Sequence, residues 1–241
     1  MKIALISDIH GNFEAFKEVL SDMQSVDISH TVCLGDCVGY GPEPEAVMAE
    51  IRRRSIPTIM GNHELAICSR RQLDWFNPLA RESIEKTIAM LSDASLEMIK
   101  RLPYYHLIAQ CRCVHGYPPE SAKTYLFQKL PYQLIKTFKE MVERICFVGH
   151  THDLEIVHFD GRQAERHPLG EGPVTLDPDL HYIINIGSVG QPRDGSNQAK
   201  YVIYDPETHL LDVRFVTYDI AATVEKIKAA GLPEAHAIRL W

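Results

Sequence analysis

The sequence predicts an α/β fold, a two-sheet β-sandwich flanked by helices. Three features point there. Strand-loop-helix units follow one another through the first 64 residues, apolar runs repeatedly end in loops rich in Gly, Asp, Asn and His, and the half after His150 is mostly β-like. Successive units of this kind build α/β sheets, and in such sheets ligands sit beyond the carboxyl ends of the strands.

Lys2–Ser7 is a short apolar run, followed by Asp8-Ile9-His10-Gly11-Asn12 and then Phe13, Phe16, Val19, Leu20 and Met23 at helical spacing. The pattern repeats with a strand at Thr31–Leu34 ending in Gly35-Asp36 and a helix over Pro42–Arg54. A third strand, Ile56–Met60, runs into Gly61-Asn62-His63-Glu64. Pro78–Leu102 has helical periodicity and reads as a helical insertion, near 74–102, in one domain spanning 1–241. Strands are expected at Tyr104–Gln110, Cys111–His115 and Ile145–Val148, with a helix at Gln133–Val142 before the last of these. Beyond Gly149-His150-Thr151-His152, strands are expected at Ile156–Phe159, His181–Ile186, Lys200–Tyr204 and Leu211–Val216. A helix over Ile220–Ala230 is stopped by Gly231 and Pro233.

Composition narrows the function classes. The 241 residues are 45% hydrophobic and 24% charged, as in globular proteins. A net charge of −7 argues against sequence-independent nucleic-acid binding. Arg52-Arg53-Arg54 and Arg70-Arg71 read as solvated helix faces. Two divalent cations would raise −7 to −3 and make a local site positive, so a phosphate site stays open. No stretch approaches the roughly 20 apolar residues of a membrane span. Six scattered cysteines without a preceding secretory signal read as reduced thiols in a cytoplasmic protein.

Five loops concentrate metal-ligand residue types: Asp8 and His10; Asp36; Asn62 and His63; His115; His150 and His152. Residues i and i+2 of an extended segment share a side, so Asp8/His10 and His150/His152 can each converge on one ion. An Asp-x-His or His-x-His alone means little; five such loops after five apolar runs mean more. Carboxylate, imidazole and amide oxygen suit Mn²⁺, Fe or Zn²⁺, and the lack of thiolates argues against a closed structural zinc site. These candidate ligands are too many for one tetrahedral centre and suit two ions about 3.5–4 Å apart, the arrangement used for phosphoryl hydrolysis. His30, His106, His158, His167, His181, His209 and His236 fall outside these loops and read as solvated or core histidines. Cys37 reads as a small buried hydrophobe.

Asp8-x-His10, Gly35-Asp36, Gly61-Asn62-His63-Glu64, Val114-His115-Gly116 and Gly149-His150-x-His152 together resemble the signature of the calcineurin-like metallophosphoesterase superfamily. Asn185–Asp194 further resembles a stretch of the small bacterial branch of YfcE-type phosphodiesterases, with Ile186 where that branch has Pro. The resemblance implies the four-layer fold of that superfamily and a phosphodiester- or nucleotide-type phosphoesterase working through a hydroxide shared by two divalent ions, Mn foremost, with Fe, Zn or Ni as others. It implies that Asp8, His10 and His152 hold one ion, that Asn62, His115 and His150 hold the other, and that Asp36 bridges them. His63 is implied as the catalytic residue that assists the leaving oxygen. Asn12, Tyr40 and Arg193, in loops beside these positions, are candidate substrate contacts, and Trp75, Phe76 and Tyr117 are candidate stacking residues. The implied partner is a small phosphorylated or nucleotide substrate.

One departure matters. The protein Ser/Thr phosphatase branch carries an Asp three residues after the bridging Asp, where it orients the catalytic His, and this chain has Gly39 there. Glu64 is the candidate to orient His63 instead. Protein Ser/Thr phosphatase and a non-catalytic metal-binding scaffold, the role of the retromer subunit among the relatives, are the alternative functions.

Overall fold

A computed structural model describes residues 1–241. Its two sheets have the strand orders β2-β1-β10-β11-β8 and β3-β4-β5-β9-β6-β7. The first contains β1 (Ile3–Ile6), β2 (His30–Cys33), β8 (Gly172–Thr175), β10 (Ala199–Asp205) and β11 (Leu210–Val216). The second contains β3 (Tyr105–Ile108), β4 (Cys111–Val114), β5 (Ile145–Val148), β6 (Leu154–Phe159), β7 (Ala164–Pro168) and β9 (His181–Ile186). Helices α1 (Phe13–Met23), α2 (Pro44–Arg54) and α6 (Asp93–Ile99) contribute to the apolar layer on the outer face of the first sheet, and α7 (Pro131–Glu140) covers the second. The sandwich flanked by helices is the fold the sequence predicts.

Side-chain alternation accounts for the layers. In β1, Ile3 and Leu5 enter the core between the sheets while Ala4 and Ile6 join the outer cluster with Phe16, Val19, Met48 and Ile51. In β5, Ile145 and Phe147 face the inter-sheet core while Cys146 and Val148 face Leu134 and Phe138 of α7. Strands covered on both faces read as continuous apolar runs, and each fully buried aliphatic side chain contributes about 1.5–3 kcal/mol. Helix α1 starts where Asn12 Oδ1 accepts from Ala15 N, 3.1 Å away; α2 starts at Pro44 and ends at Ser55 in the left-handed conformation.

The expected strand at Ile56–Met60 forms only a single parallel bridge, Thr58 to Cys33. Pro57 has no N–H to give to a ladder, and Met60 N donates instead to Pro103 O. Two strands escape a sequence reading, β7 and β8. Both are edge strands with alternating half-exposed residues and a proline each, a pattern that suppresses pairing to other chains and also suppresses the apolar signal. Between Asn62 and Ile99 the chain is helical: α3 (Asn62–Cys68), α4 (Arg70–Leu73), α5 (Pro78–Met90) and α6. After the β11 strand come α8 (Ile220–Ala229) and α9 (Glu234–Ile238).

Strand β1 runs parallel to β2, and β4, β5 and β9 run parallel to one another. The loops that leave the carboxyl ends of these five strands meet at one end of the sandwich. The loop after β9 is fastened from below by Lys200, whose side chain is fully buried and whose Nζ lies 2.6 Å from Asp194 Oδ1 and 2.9 Å from Ser196 Oγ. Lys200→Met removes the cation and leaves Asp194, which is only partly exposed, without its partner. Urea unfolding of this variant should show a loss of about 2–3 kcal/mol, below the 3–5 of a fully buried pair because Asp194 reaches water.

Candidate metal centre

The loops after β1, β2, β4 and β5, with the start of α3, bring Asp8, His10, Asp36, Asn62, His63, His115, His150 and His152 together, all of them buried. Six non-glycine residues here have positive φ: Asp8, His10, Asp36, Tyr40, His150 and His152. Such backbone costs of order 1–3 kcal/mol per residue and persists where the surroundings over-determine it. Here the loops are laced to one another: Asp8 N donates to Gly35 O (3.0 Å), His10 N to Asp36 O (2.9 Å), Gly149 N to His115 O (2.8 Å) and Gly190 N to Asp8 O (2.9 Å). A side chain at Gly149 would sit 2.1 Å from Ser7 Oγ and 2.5 Å from Asp8 Oδ2, so the approach of these loops requires glycine there.

Hydrogen bonds fix how each imidazole presents itself. His10 Nδ1–H donates to Val38 O (3.2 Å), His152 Nδ1–H to Gln191 O and His115 Nδ1–H to Leu34 O (2.8 Å). A neutral imidazole donates through one nitrogen only, so each Nε2 carries a lone pair into the site. Yet His10 Nε2 faces His152 Nε2 at 3.0 Å, and His115 Nε2 faces Asn62 Oδ1 at 3.0 Å and Asp36 Oδ2 at 3.3 Å. Asp8 Oδ1, buried and without a hydrogen-bond partner, lies 3.2 Å from His152 Nε2. His150 is turned the other way: its Nε2–H donates to Lys123 O (3.2 Å), leaving Nδ1 for the cluster with Asp36 and His115. Acceptors facing acceptors in a dry site repel. Donor atoms about 2.0–2.2 Å from one divalent ion sit about 3.0–3.4 Å apart, which matches these separations. Asp8, His10 and His152 form one group able to hold an ion, and Asp36, His115 and His150 another, with Asn62 beside the latter. Asp36 Oδ2, 3.8 Å from His10 Nε2 and 3.3 Å from His115 Nε2, lies between them. The chemistry and spacing of the donors fit two cations.

The charges point the same way. Burial alone would raise Asp8 and Asp36, yet the surrounding imidazoles hold both well below the usual carboxylate range. Burial would lower His115, but with no cation beside it Asp36, Asp8 and Glu64 push it up to about 10, so that a proton on Nε2 takes the place a cation would fill against Asp36. Burial pushes His150 down to about 3 and His63 down to about 4.

Glu64 does not orient His63. Its buried carboxylate accepts from Asp36 N (2.8 Å) and Gly61 N (3.0 Å) on one oxygen and from Cys37 N (2.7 Å) and Val38 N (3.3 Å) on the other. Burial and Asp36 push Glu64 up to about 7, but four N–H donors occupy both oxygens and favour the ionised form. The glutamate holds the Asp36 loop, and Asp36 Oδ1 in turn accepts from His63 N (2.9 Å). Gly39, at φ +88, has no side chain because the His63 ring fills that space: an added Cβ would lie 2.1 Å from His63 Nδ1.

The three candidate substrate contacts separate. Asn12 Oδ1 accepts from Ala15 N and from Thr223 Oγ1 (3.2 Å), and its amide donates to Gly190 O (3.0 Å). These bonds tie three segments together and give Asn12 a loop-positioning contact beside its expected place near the substrate. The Tyr40 ring packs on His10 and His63, with centroids 4.6 and 4.5 Å away. Arg193 is exposed at the rim, its side chain bonded to Gln191 Oε1. Tyr117 is buried with its hydroxyl on Thr137, in the core rather than at the mouth. Tyr125 and Phe127, not singled out from sequence, stand where it was expected: Tyr125 stacks on His150 at 4.0 Å and on Phe127 at 5.0 Å. The i, i+2 aromatic pair was the available signal. His236, read as a core histidine, packs on Tyr40 at 4.6 Å. A cavity of about 570 Å³ at the opposite end of the sandwich, between the starts of β5 and β9, contains none of these residues.

Comparison with known proteins agrees with this geometry. The profile of the calcineurin-like phosphoesterase superfamily domain matches residues 1–209. An uncharacterized protein of Methanocaldococcus jannaschii is 35% identical over 249 aligned positions, covering 99% of this chain and 97% of the relative. A metallophosphoesterase from Sphaerobacter thermophilus superposes with a TM-score of 0.84 at 33% identity, covering 100% of this chain and 98% of the other. A hypothetical protein from Pyrococcus horikoshii shares the fold, with a TM-score of 0.78 at 19% identity and coverage of 100% and 97%.

Two measurements check the site. Glu64→Gln turns an NH₂ toward two backbone N–H groups and should lower stability in urea by about 2–4 kcal/mol. Mn²⁺ added to chelator-treated protein at about a hundredfold over Kd should stabilise it by about 2.7 kcal/mol per filled site, an effect that Asp8→Asn diminishes.

Proposed function

Because this chain belongs to the calcineurin-like phosphoesterase superfamily, we propose that it is a two-metal phosphoesterase acting on a phosphodiester or nucleotide-type ester. Asp8, His10 and His152 would hold one ion and Asn62, His115 and His150 the other, with Asp36 shared; Mn²⁺ is the first candidate, then Fe, Zn²⁺ or Ni²⁺. Bound there, the ions supply Lewis acidity toward phosphoryl oxygens and lower the pKa of water toward neutrality. The observation that carries the reading is the pair of lone pairs turned on each other, His10 Nε2 on His152 Nε2 at 3.0 Å, beside the buried and unpartnered Asp8 Oδ1.

The chain's own residues do the rest. Burial of Asp8, Asp36, Asn62 and the histidines excludes water and strengthens every charge interaction with a bound phosphate. His63 Nε2 lies 3.9 Å from Asp36 Oδ2 without a hydrogen bond, so an Nε2–H is free to donate to a phosphoryl or leaving-group oxygen. When water adds to phosphorus and the ester P–O bond breaks, the departing oxygen takes up the proton that the attacking water gives up, and that N–H is placed to hydrogen-bond to the developing charge. Arg193 is the cation at the rim, and the Tyr40 ring packs on His10 and His63. An aromatic leaving group or base finds walls on two sides: Trp75 (49% exposed) and Phe76 on one, Tyr125 and Phe127 (61% exposed) on the other. Lys123 lies against the first wall, with Nζ 5.5 Å from the Trp75 ring and bonded to Gln72. A carboxylate-oriented histidine of the protein Ser/Thr phosphatase kind has no room at Gly39.

The test is hydrolysis of bis-p-nitrophenyl phosphate and of p-nitrophenyl phosphate by metal-stripped protein with Mn²⁺ restored. Turnover should favour the diester. His63→Ala should lower kcat by about 10²–10⁴-fold and Asp36→Asn should abolish it. Stoichiometric metal binding without turnover of either ester or of a nucleotide panel would replace the enzyme with a scaffold.

A further inference from the structure

His63 lacks what a catalytic imidazole ordinarily has, a hydrogen-bonded partner to fix its ring. Its Nδ1 is buried with no partner, Glu64 is committed elsewhere, and Gly39 leaves no space for a carboxylate. What surrounds the ring is aromatic. Tyr40 lies edge-on at 4.5 Å and 72°, His10 at 4.6 Å and 68°, and Phe76 at 5.0 Å and 86°. Such pairs have preferred geometry and resist rotation of the enclosed ring.

Tyr40 is the half-buried link of this cage. It sits between Gly39 and Gly41 with φ +64, and its hydroxyl forms no hydrogen bond within the chain. Its backbone N donates to Ser83 Oγ, and its ring is backed by His236 at 4.6 Å. His236 arrives from α9, is 5% exposed and leaves Nε2 without a partner, so what it offers Tyr40 is its ring, tilted 41° to the tyrosine's. Helices α8 and α9 form their own small apolar cluster of Val224, Ile227, Leu232, Ala237 and Leu240, apart from the main cores. Polar contacts hold it against the body: Thr223 to Asn12, Lys226 to Glu14 and Glu43, and Lys86 to the Gly231 carbonyl. This hairpin lies beyond residue 209, where the superfamily profile match ends, yet it reaches the centre of the site.

We propose that the C-terminal α8–α9 hairpin is a positioning element for His63, acting through the packed rings of His236 and Tyr40 in place of a carboxylate partner. The idea rests on the phosphoesterase reading for its kinetic consequence but not for its structural one. His236 is a positioning residue: it touches neither substrate nor reacting atoms, and it limits the arc through which His63 turns. Loss of the His236 ring frees Tyr40 and then His63, lowering kcat while leaving substrate affinity in place.

The experiment compares wild type, His236→Ala and His236→Phe by Mn²⁺-restored turnover of bis-p-nitrophenyl phosphate and, separately, by ¹H–¹³C spectra of the His63 ring in ¹³C-histidine-labelled, metal-free protein. His236→Ala should lower kcat about tenfold with KM within about twofold, and shift and broaden the His63 ring signals. His236→Phe, which keeps the ring and discards Nε2, should return both kcat and the spectrum toward wild type. If His236→Ala does not fold by thermal unfolding, His236→Leu fills the volume without a ring and takes its place. Unchanged kcat and spectrum in the ring-less variant would overturn the proposal. So would a His236→Phe enzyme as slow as His236→Ala beside an active His236→Gln, which would make the residue a polar contact. A wild type that turns over no ester would sink the phosphoesterase reading, while the His63 spectrum would still decide the positioning.

Discussion

The Glu64 carboxylate, buried at the amino end of a seven-residue helix, accepts four backbone N–H groups from two loops. Three of those groups belong to Asp36, Cys37 and Val38, the segment in which Asp36 takes a positive φ. The left-handed turn exposes N–H groups that no ladder can satisfy, and the glutamate satisfies them. Because His10 N also donates to Asp36 O and His10 Nδ1 to Val38 O, the first metal-ligand loop is registered on the second. His63 N on Asp36 Oδ1 then registers the third. One ionised side chain thus determines where three of the five loops stand, and it does so from a position three residues into the helix that carries His63 itself.

With the loops so fixed, the imidazoles have little freedom to relieve the repulsion among their lone pairs. Rotation of His10, His115 or His152 would break an Nδ1–H bond to a carbonyl. A folded protein tolerates such conflict only where something outside the chain resolves it, and local conflict of this kind is what functional sites carry. The strain in six positive-φ residues and the unpartnered Asp8 Oδ1 belong to the same account. The two apolar cores of 21 and 20 buried residues, one on each side of the first sheet, supply the surplus stability against which this cost is set.

Much of this was legible in the sequence. Doubly covered strands such as Ile3–Ile6 and Ile145–Val148 announce themselves as apolar runs, and the residue types that end them name the chemistry. Edge strands β7 and β8 were silent because their physics asks for Pro, charge and half-exposure rather than apolar repetition. Asn12 reads as a phosphate contact because polar loop residues near a site do; only the fold shows that its amide also joins Ala15, Gly190 and Thr223. Glu64 adjoins His63 in sequence, yet adjacent residues on a helix point about 100° apart, so proximity in the chain misdirected the assignment. His236 had no local motif at all, since its significance comes from a partner 196 positions away in Tyr40.

Gly39 shows how one missing side chain can be a structural choice rather than a loss. A carboxylate partner would stabilise the charged imidazole and hold it by a directional bond; a ring cage holds it by shape and favours the neutral form, in keeping with the depression of His63 to about 4. The two devices make different demands on the rest of the chain. A carboxylate three residues from the bridging Asp needs nothing distant. A cage needs rings from several elements: Phe76 from the turn before α5, Tyr40 from the loop before α2, and His236 from the last helix to keep Tyr40 in place. The far end of the chain is thereby drawn into the site, and the completeness of the fold becomes a condition of the catalytic geometry.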